Sequence, residues 1–241
     1  MAVPYVKFKI NGLSKEINTY DTYGLILSKQ EIGLPPVKTK YIDIDGRDGS
    51  LDMTEAFDEV YYGDRTLTFT FNIVSDIYTW DELRTKIAED LHGRRCQITV
   101  YSDTSNVFKP YPTIIDFTFF YYGRCMIDKY QSSKGLGTIV IKCICEPFKY
   151  SLPMYYNITL GTTESTTVEQ TFKTTGKPTQ IMCNANTTTS SYVIFKIDDE
   201  AEFAINGGSA AYYPTLIGPG EHTVQVTGQG SAYISFQERH I

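Results

Sequence analysis

The stretch YIDIDGRDGSLDMTEAFDEVYYGDRTLTFTF, Tyr41–Phe71, predicts a chain that folds back twice and then enters a strand. Its first loop, Asp45-Gly46-Arg47-Asp48-Gly49, sets two glycines among aspartates, the composition of a turn that needs positive φ. The closing run Leu67-Thr68-Phe69-Thr70-Phe71 alternates strictly, with Leu67, Phe69 and Phe71 on one face and Thr68 and Thr70 on the other. A double reversal ending in an amphipathic strand fits an arm or sheet edge better than an active site.

Outward from this stretch the pattern stays β-rich. Val6, Phe8 and Ile10 alternate with Tyr5, Lys7 and Lys9 in a first strand that ends at Asn11-Gly12. A second strand is expected at Leu25–Ser28, before Leu34-Pro35-Pro36 interrupts pairing. One helix is expected at residues 80–92. Thr79 and Glu82 form a capping box, Tyr78 and Leu83 a hydrophobic staple, and Trp80, Leu83, Ile87 and Leu91 an apolar stripe that Gly93 closes. Strands then follow at Cys96–Tyr101, Thr113–Tyr122, Arg124–Lys129 and Gly137–Glu146; the last is apolar on both faces and so central.

Beyond Pro147-Phe148-Lys149-Tyr150 the composition turns to Thr, Ser, Asn and Gly, with short alternating runs at Tyr155–Leu160, Thr166–Thr171, Thr179–Asn184, Tyr192–Asp198, Glu202–Ile205, His222–Thr227 and Ala232–Gln237. Regular short strands with turn residues between them predict a β-sandwich. The expected architecture is mostly β: residues 1–148, a β-sandwich with one helix and a hairpin arm, and residues 149–241, a second β-sandwich.

Composition narrows the function. Over 241 residues the net charge is −6, which argues against a protein that wraps nucleic acid through its phosphates. No run approaches the roughly 20 apolar residues of a membrane span, and the N-terminus does not read as a signal peptide. Cys96, Cys125, Cys143, Cys145 and Cys183 read as reduced core thiols.

Chemistry-bearing patterns are weak. Asp43, Asp45 and Asp48 invite a calcium-loop reading, but Arg47 takes the fifth position and no glutamate stands at the twelfth, so a plain turn is preferred. His92, His222 and His240 are scattered, no G-x-S-x-G elbow occurs, and His92 is placed to meet the negative end of the helix dipole. Cys143 and Cys145 lack a second ligand pair for zinc. Asp198-Asp199-Glu200 reads as a solvated turn. These patterns support neither an enzyme nor a metal or other cofactor.

A carbohydrate-binding, lectin-like module is the serious alternative, since Tyr155, Tyr156, Tyr192, Tyr212, Tyr213 and Tyr233 are available. Against it, the only tryptophan, Trp80, belongs to the first part. The insertion-like run Asn106–Tyr122, with Pro110, Pro112, Phe117, Phe119 and Phe120, is assigned no role by its pattern.

An ordered series of blocks carries a resemblance over residues 1 to about 150: GRDGSLDMTE, then YYGDRTLTFTF, one helix, and a strand closing on CEPFKY. It resembles the distal tail (Dit-like) proteins of long, flexible-tailed bacteriophages and prophages. The resemblance implies a homo-hexameric ring at the tail tip, made by the first domain and assembled in the host cytoplasm. It also implies a galectin-like second domain facing outward. The implied partners are the tail tube protein, a tail-tip or tail-associated lysin protein, and receptor-binding or baseplate proteins. A closed ring needs a heterologous interface. Segment 28–62 is the expected source of one patch, with Asp45, Arg47 and Asp48 at its loop and Tyr61 and Tyr62 as aromatic anchors. Packing of both tyrosines on their own sheet stays open as the other reading.

Overall fold

A computed structural model describes residues 3–56, 60–73, 80–101, 119–133, 136–186 and 192–241. The Tyr78 staple, the Thr79 cap, the segment 113–118 of an expected strand and most of the Asn106–Tyr122 run lie outside them. The chain divides into two compact units, Met1–Lys149 with Ile241, and Tyr150–His240.

In the first unit, β1 (Tyr5–Ile10), β2 (Glu16–Asn18), β3 (Leu25–Ile32), β6 (Arg65–Ile73), β7 (Arg95–Tyr101), β8 (Phe120–Ser133) and β9 (Leu136–Cys145) form one antiparallel path. Its order is β2-β1-β7-β8-β9-β6-β3. The expected alternation sets the faces: Val6, Phe8 and Ile10 from β1 and Leu67, Phe69 and Phe71 from β6 are all buried. Phe8 and Phe69 meet edge to face at 6.4 Å, and Leu27 N–H donates to Pro4 O at 3.0 Å, so the sheet closes over its own core. Helix α2 (Trp80–Leu91) buries Leu83, Ile87 and Leu91 against that core. Gly93 follows it at φ +76. As expected, β9 is central, between β8 and β6.

Three features differ from the expected pattern. A short helix α1 (Thr19–Tyr23) is present, capped by the Asn18 side chain, which accepts from Tyr20 N–H at 3.0 Å. Strands expected on either side of Gly123 are one strand, β8: at Gly123 an added Cβ would lie 2.3 Å from Cys145 Sγ and 2.7 Å from Ile144 O. The glycine therefore serves close packing of β8 on β9 and makes no turn. Strand β3 runs to Ile32, four residues past the expected Ser28, along β6.

The second unit follows β10 (Lys149–Tyr150). One sheet joins β11 (Met154–Thr159), β18 (Ser231–Phe236), β13 (Met182–Asn186) and β16 (Ala210–Tyr212). The other joins β12 (Thr166–Thr174), β17 (Gly220–Gly228), β14 (Tyr192–Ile197) and β15 (Phe203–Asn206), and β19 (Arg239–His240) ends the chain. Ile158, Cys183 and Ile234 of the first sheet share a core with Phe172, Phe195 and Val226 of the second, a two-sheet sandwich. Phe172 packs on Phe236 at 5.5 Å. Buried Tyr213 donates to Ala201 O at 2.8 Å, which satisfies its hydroxyl. All five cysteines are buried and free, and burial pushes the Cys145 and Cys183 thiols up to about 12.

Candidate assembly surface

The surface is built where β3 and β6 outrun the core. From Ser28 onward β3 is exposed, although its ladder with β6 continues to the Ile32–Leu67 pair. The Pro35-Pro36 break ends regular pairing. Lys38 N–H then donates to Tyr61 O and Gly63 N–H to Pro36 O, so the outgoing and returning chains stay fastened. Between them stands a two-stranded hairpin, β4 (Tyr41–Ile42) with β5 (Leu51–Asp52), paired Tyr41 to Asp52 and Ile42 to Leu51.

At the hairpin tip Asp45, Arg47 and Asp48 are all exposed. Arg47 N–H donates to Ile44 O at 3.1 Å, and Gly46 and Gly49 take φ of +80 and +75, conformations closed to most other residues. Ser50 Oγ donates to Asp43 Oδ1 at 2.6 Å, so Asp43 braces the loop. Among the described residues no three His, Cys, Asp or Glu side chains gather as a metal-binding set.

The two tyrosines separate. Tyr61 points outward, 48 % exposed, whereas half-buried Tyr62 turns back edge to face on Phe148 at 6.2 Å. Exposed apolar side chains crowd the same segment: Ile32, Leu34 (80 %), Val37, Tyr41 (60 %), Ile42 and Ile44. Two residues a side is too little sheet to be stable alone, and an apolar run of this kind marks a surface meant to be covered.

At the base of the arm sits a residue that pattern reading passed over. Arg65 opens β6 on the same inward parity as Leu67 and is 2 % exposed. Its guanidinium lies 5.4 Å from the Tyr121 ring, and its Nε and Nη2 have no hydrogen-bond partner among the described residues. The strict alternation running back from Phe71 was the signal that placed it inside.

The histidines are occupied structurally. His222 Nδ1 lies 2.7 Å from Asp198 Oδ2 and its Nε2 lies 2.9 Å from Gly218 O. His92 Nδ1 accepts from Ile127 N–H at 3.1 Å, and His240 Nε2 lies 3.1 Å from Glu238. Burial works against the charged form of Asp198, yet hydrogen bonds from Thr223 N–H and His222 hold its carboxyl below the usual carboxylate range. Each imidazole is engaged by neighbours within its own unit, an arrangement that packs loops and strand ends.

No family model matches the sequence, and no curated protein matches it either. Among solved structures, the chain is similar to the SPP1 Dit protein (gp 19.1), described as a paradigm of the hub adsorption apparatus in phages that infect Gram-positive bacteria. The TM-score is 0.58 and the identity 16%, over 98% of this chain and 99% of that one. Chains of the phage P2 baseplate in its activated conformation, with Ca and with Sr, align at TM-score 0.45. Their identities are 10% and 9%, over 98% or more of each chain, a likeness too loose to add to the fold assignment. From one end to the other, the chain has a Dit-like fold.

Proposed function

We propose that this chain is a structural, non-catalytic component of a phage or prophage tail. In this reading it is a distal tail protein whose copies close into a hexameric ring at the tail tip, between the tail tube and the baseplate or receptor-binding proteins. The observation that carries the reading is the arm, whose hairpin and flanks expose Ile32, Leu34, Val37, Tyr41, Ile42, Ile44 and Tyr61 together. A ring closes when one patch meets a different patch on the next copy, and a projecting arm supplies one such patch at little folding cost. The likeness in fold to a phage hub protein, over nearly the whole chain, supports the same reading.

Electron microscopy of negatively stained protein tests it. Annular particles are expected from the wild type, and dispersed single protomers from the triple variant Tyr41→Ser, Ile42→Ser, Tyr61→Ser. Rings that persist in the triple variant would remove the arm from the interface.

A further inference from the structure

The sandwich of the second unit has one sheet whose four strands carry no charge. The strands β11, β18, β13 and β16 read MYYNIT, SAYISF, MCNAN and AAY, and not one carries an Asp, Glu, Lys, Arg or His. On the other sheet Glu169, Lys173, Lys196 and Glu221 stand on β12, β14 and β17. A face selected only for solubility would carry charges of both signs, as its partner sheet does.

Register shows what the neutral face presents instead. Tyr155 pairs with Ser235, Ser235 with Met182, and Met182 with Tyr212, one row across all four strands. The next row is Asn157, Tyr233, Asn184 and Ala210. Tyr155 and Tyr212 are 61 % and 55 % exposed, and Tyr233 packs beside Tyr155 at 6.0 Å. Low side chains between the tyrosines leave a groove of about 450 Å³ that Gln180, Leu216 and, from outside the four strands, the cation Arg239 also line. Its outer rings stand three strand spacings apart, roughly 14 Å at about 4.8 Å each.

From this we infer that the groove binds a neutral oligosaccharide, with Tyr155 and Tyr212 stacking on sugar rings and the Ser235 and Gln180 side chains hydrogen-bonding hydroxyls. Exposed aromatic faces offer flat, apolar platforms, and uncharged amides and hydroxyls both donate and accept, as a polyol requires. Among the described residues Arg239 is the one charged side chain lining the groove, so the acidic control in the test decides between a neutral and an anionic polymer. A protein-docking patch would show a broader apolar centre than Met182 and Leu216 provide. The spacing of the rings suits a chain of several sugars and exceeds one hexose. This inference is independent of ring formation.

Saturation-transfer NMR on the full chain tests it, with tetrasaccharides of β-1,4-linked N-acetylglucosamine, β-1,4-linked glucose and β-1,3-linked galactose, and a tetramer of galacturonate as the acidic control. At least one neutral tetrasaccharide is expected to bind. Tyr155→Ala and Tyr212→Ala should each weaken it about tenfold or more, while Tyr212→Phe and Glu169→Gln (on the opposite sheet) leave it within about twofold. Both tyrosines are exposed, so melting temperatures should stay within about 1 °C of wild type. No transfer to any neutral probe, transfer to galacturonate alone, or full binding in both alanine variants would overturn the inference.

Discussion

The arm of the first unit and the neutral sheet of the second are both exposed and rich in tyrosine, yet they are built for different neighbours. Along the arm the exposed apolar side chains are Leu34, Val37, Tyr41, Ile42 and Ile44, interleaved with the exposed charges of Lys38, Lys40, Asp43, Asp52 and Glu55 and of the Asp45-Arg47-Asp48 tip; the apolar side chains are the ones that decide the neighbour. They gain by leaving water, which suits contact with protein. On the neutral sheet tyrosines alternate with Ser and Asn, and the surface keeps hydrogen-bonding capacity across its whole width. Aromatic content alone does not tell the two surfaces apart; what stands between the rings does.

Substitutions should pull the two surfaces apart. The largest effect expected is on assembly: serine at Tyr41, Ile42 and Tyr61 should abolish it while saccharide binding and melting temperature hold. If saccharide binding falls together with assembly, the two surfaces are not independent. On the neutral sheet, binding should be flat between about 0.05 and 0.5 M salt and between pH 5 and 9, because no strand of that sheet carries a group that titrates below tyrosine. A clear salt or pH dependence, read by the same NMR titration, would mean that charge outside those strands takes part.

Within the arm itself, Tyr61 and Tyr62 should diverge. Tyr62→Ala removes the packing on Phe148 and is expected to lower stability by about 1–2 kcal/mol in urea unfolding. Tyr61→Ala should change it by less than about 0.5 kcal/mol and act on assembly instead. Equal losses of stability would return both rings to the protomer's own packing.

The smallest effect belongs to the charged sheet. The Asp198 carboxyl is held below its usual range in the folded state, so its contribution is fully present above the unfolded value of about 3.9 and is lost as pH falls through the folded one. Asp198→Asn should therefore cost stability at pH 6, and the gap to wild type should close as pH falls through the folded value. With the carboxylate 42% exposed, solvent screening keeps the cost under about 1 kcal/mol. Melting curves at pH 6 and pH 2.5 check it, and a gap that widens in acid would reverse the assignment.

Much of this architecture was legible from alternation and capping. The runs at Tyr5–Ile10, Leu67–Phe71 and Tyr192–Ile197 each have one apolar parity, and Trp80–Leu91 has helical periodicity, so their types follow from local pattern. Of the six tyrosines counted as available, Tyr213 is buried and Tyr156 packs against the core, and only register could bring Tyr155 and Tyr212 into one row from segments more than fifty residues apart. Gly123 misled because a strand glycine and a turn glycine look alike until the neighbouring strand is known. Helix α1, at five residues, is too short to show a period, and the three residues of β16 carry no alternation. The arm was legible as a double reversal; its exposure was not, since burial of Ile32 or Ile44 depends on what else packs nearby.

Light scattering on the purified chain across a concentration series meets the central claim most directly. The account predicts a mass six times the 27.3 kDa protomer for the wild type, falling to a single protomer for the serine triple variant of the arm. A wild-type mass of 27.3 kDa at every concentration, or an unchanged hexamer mass in the variant, would contradict it.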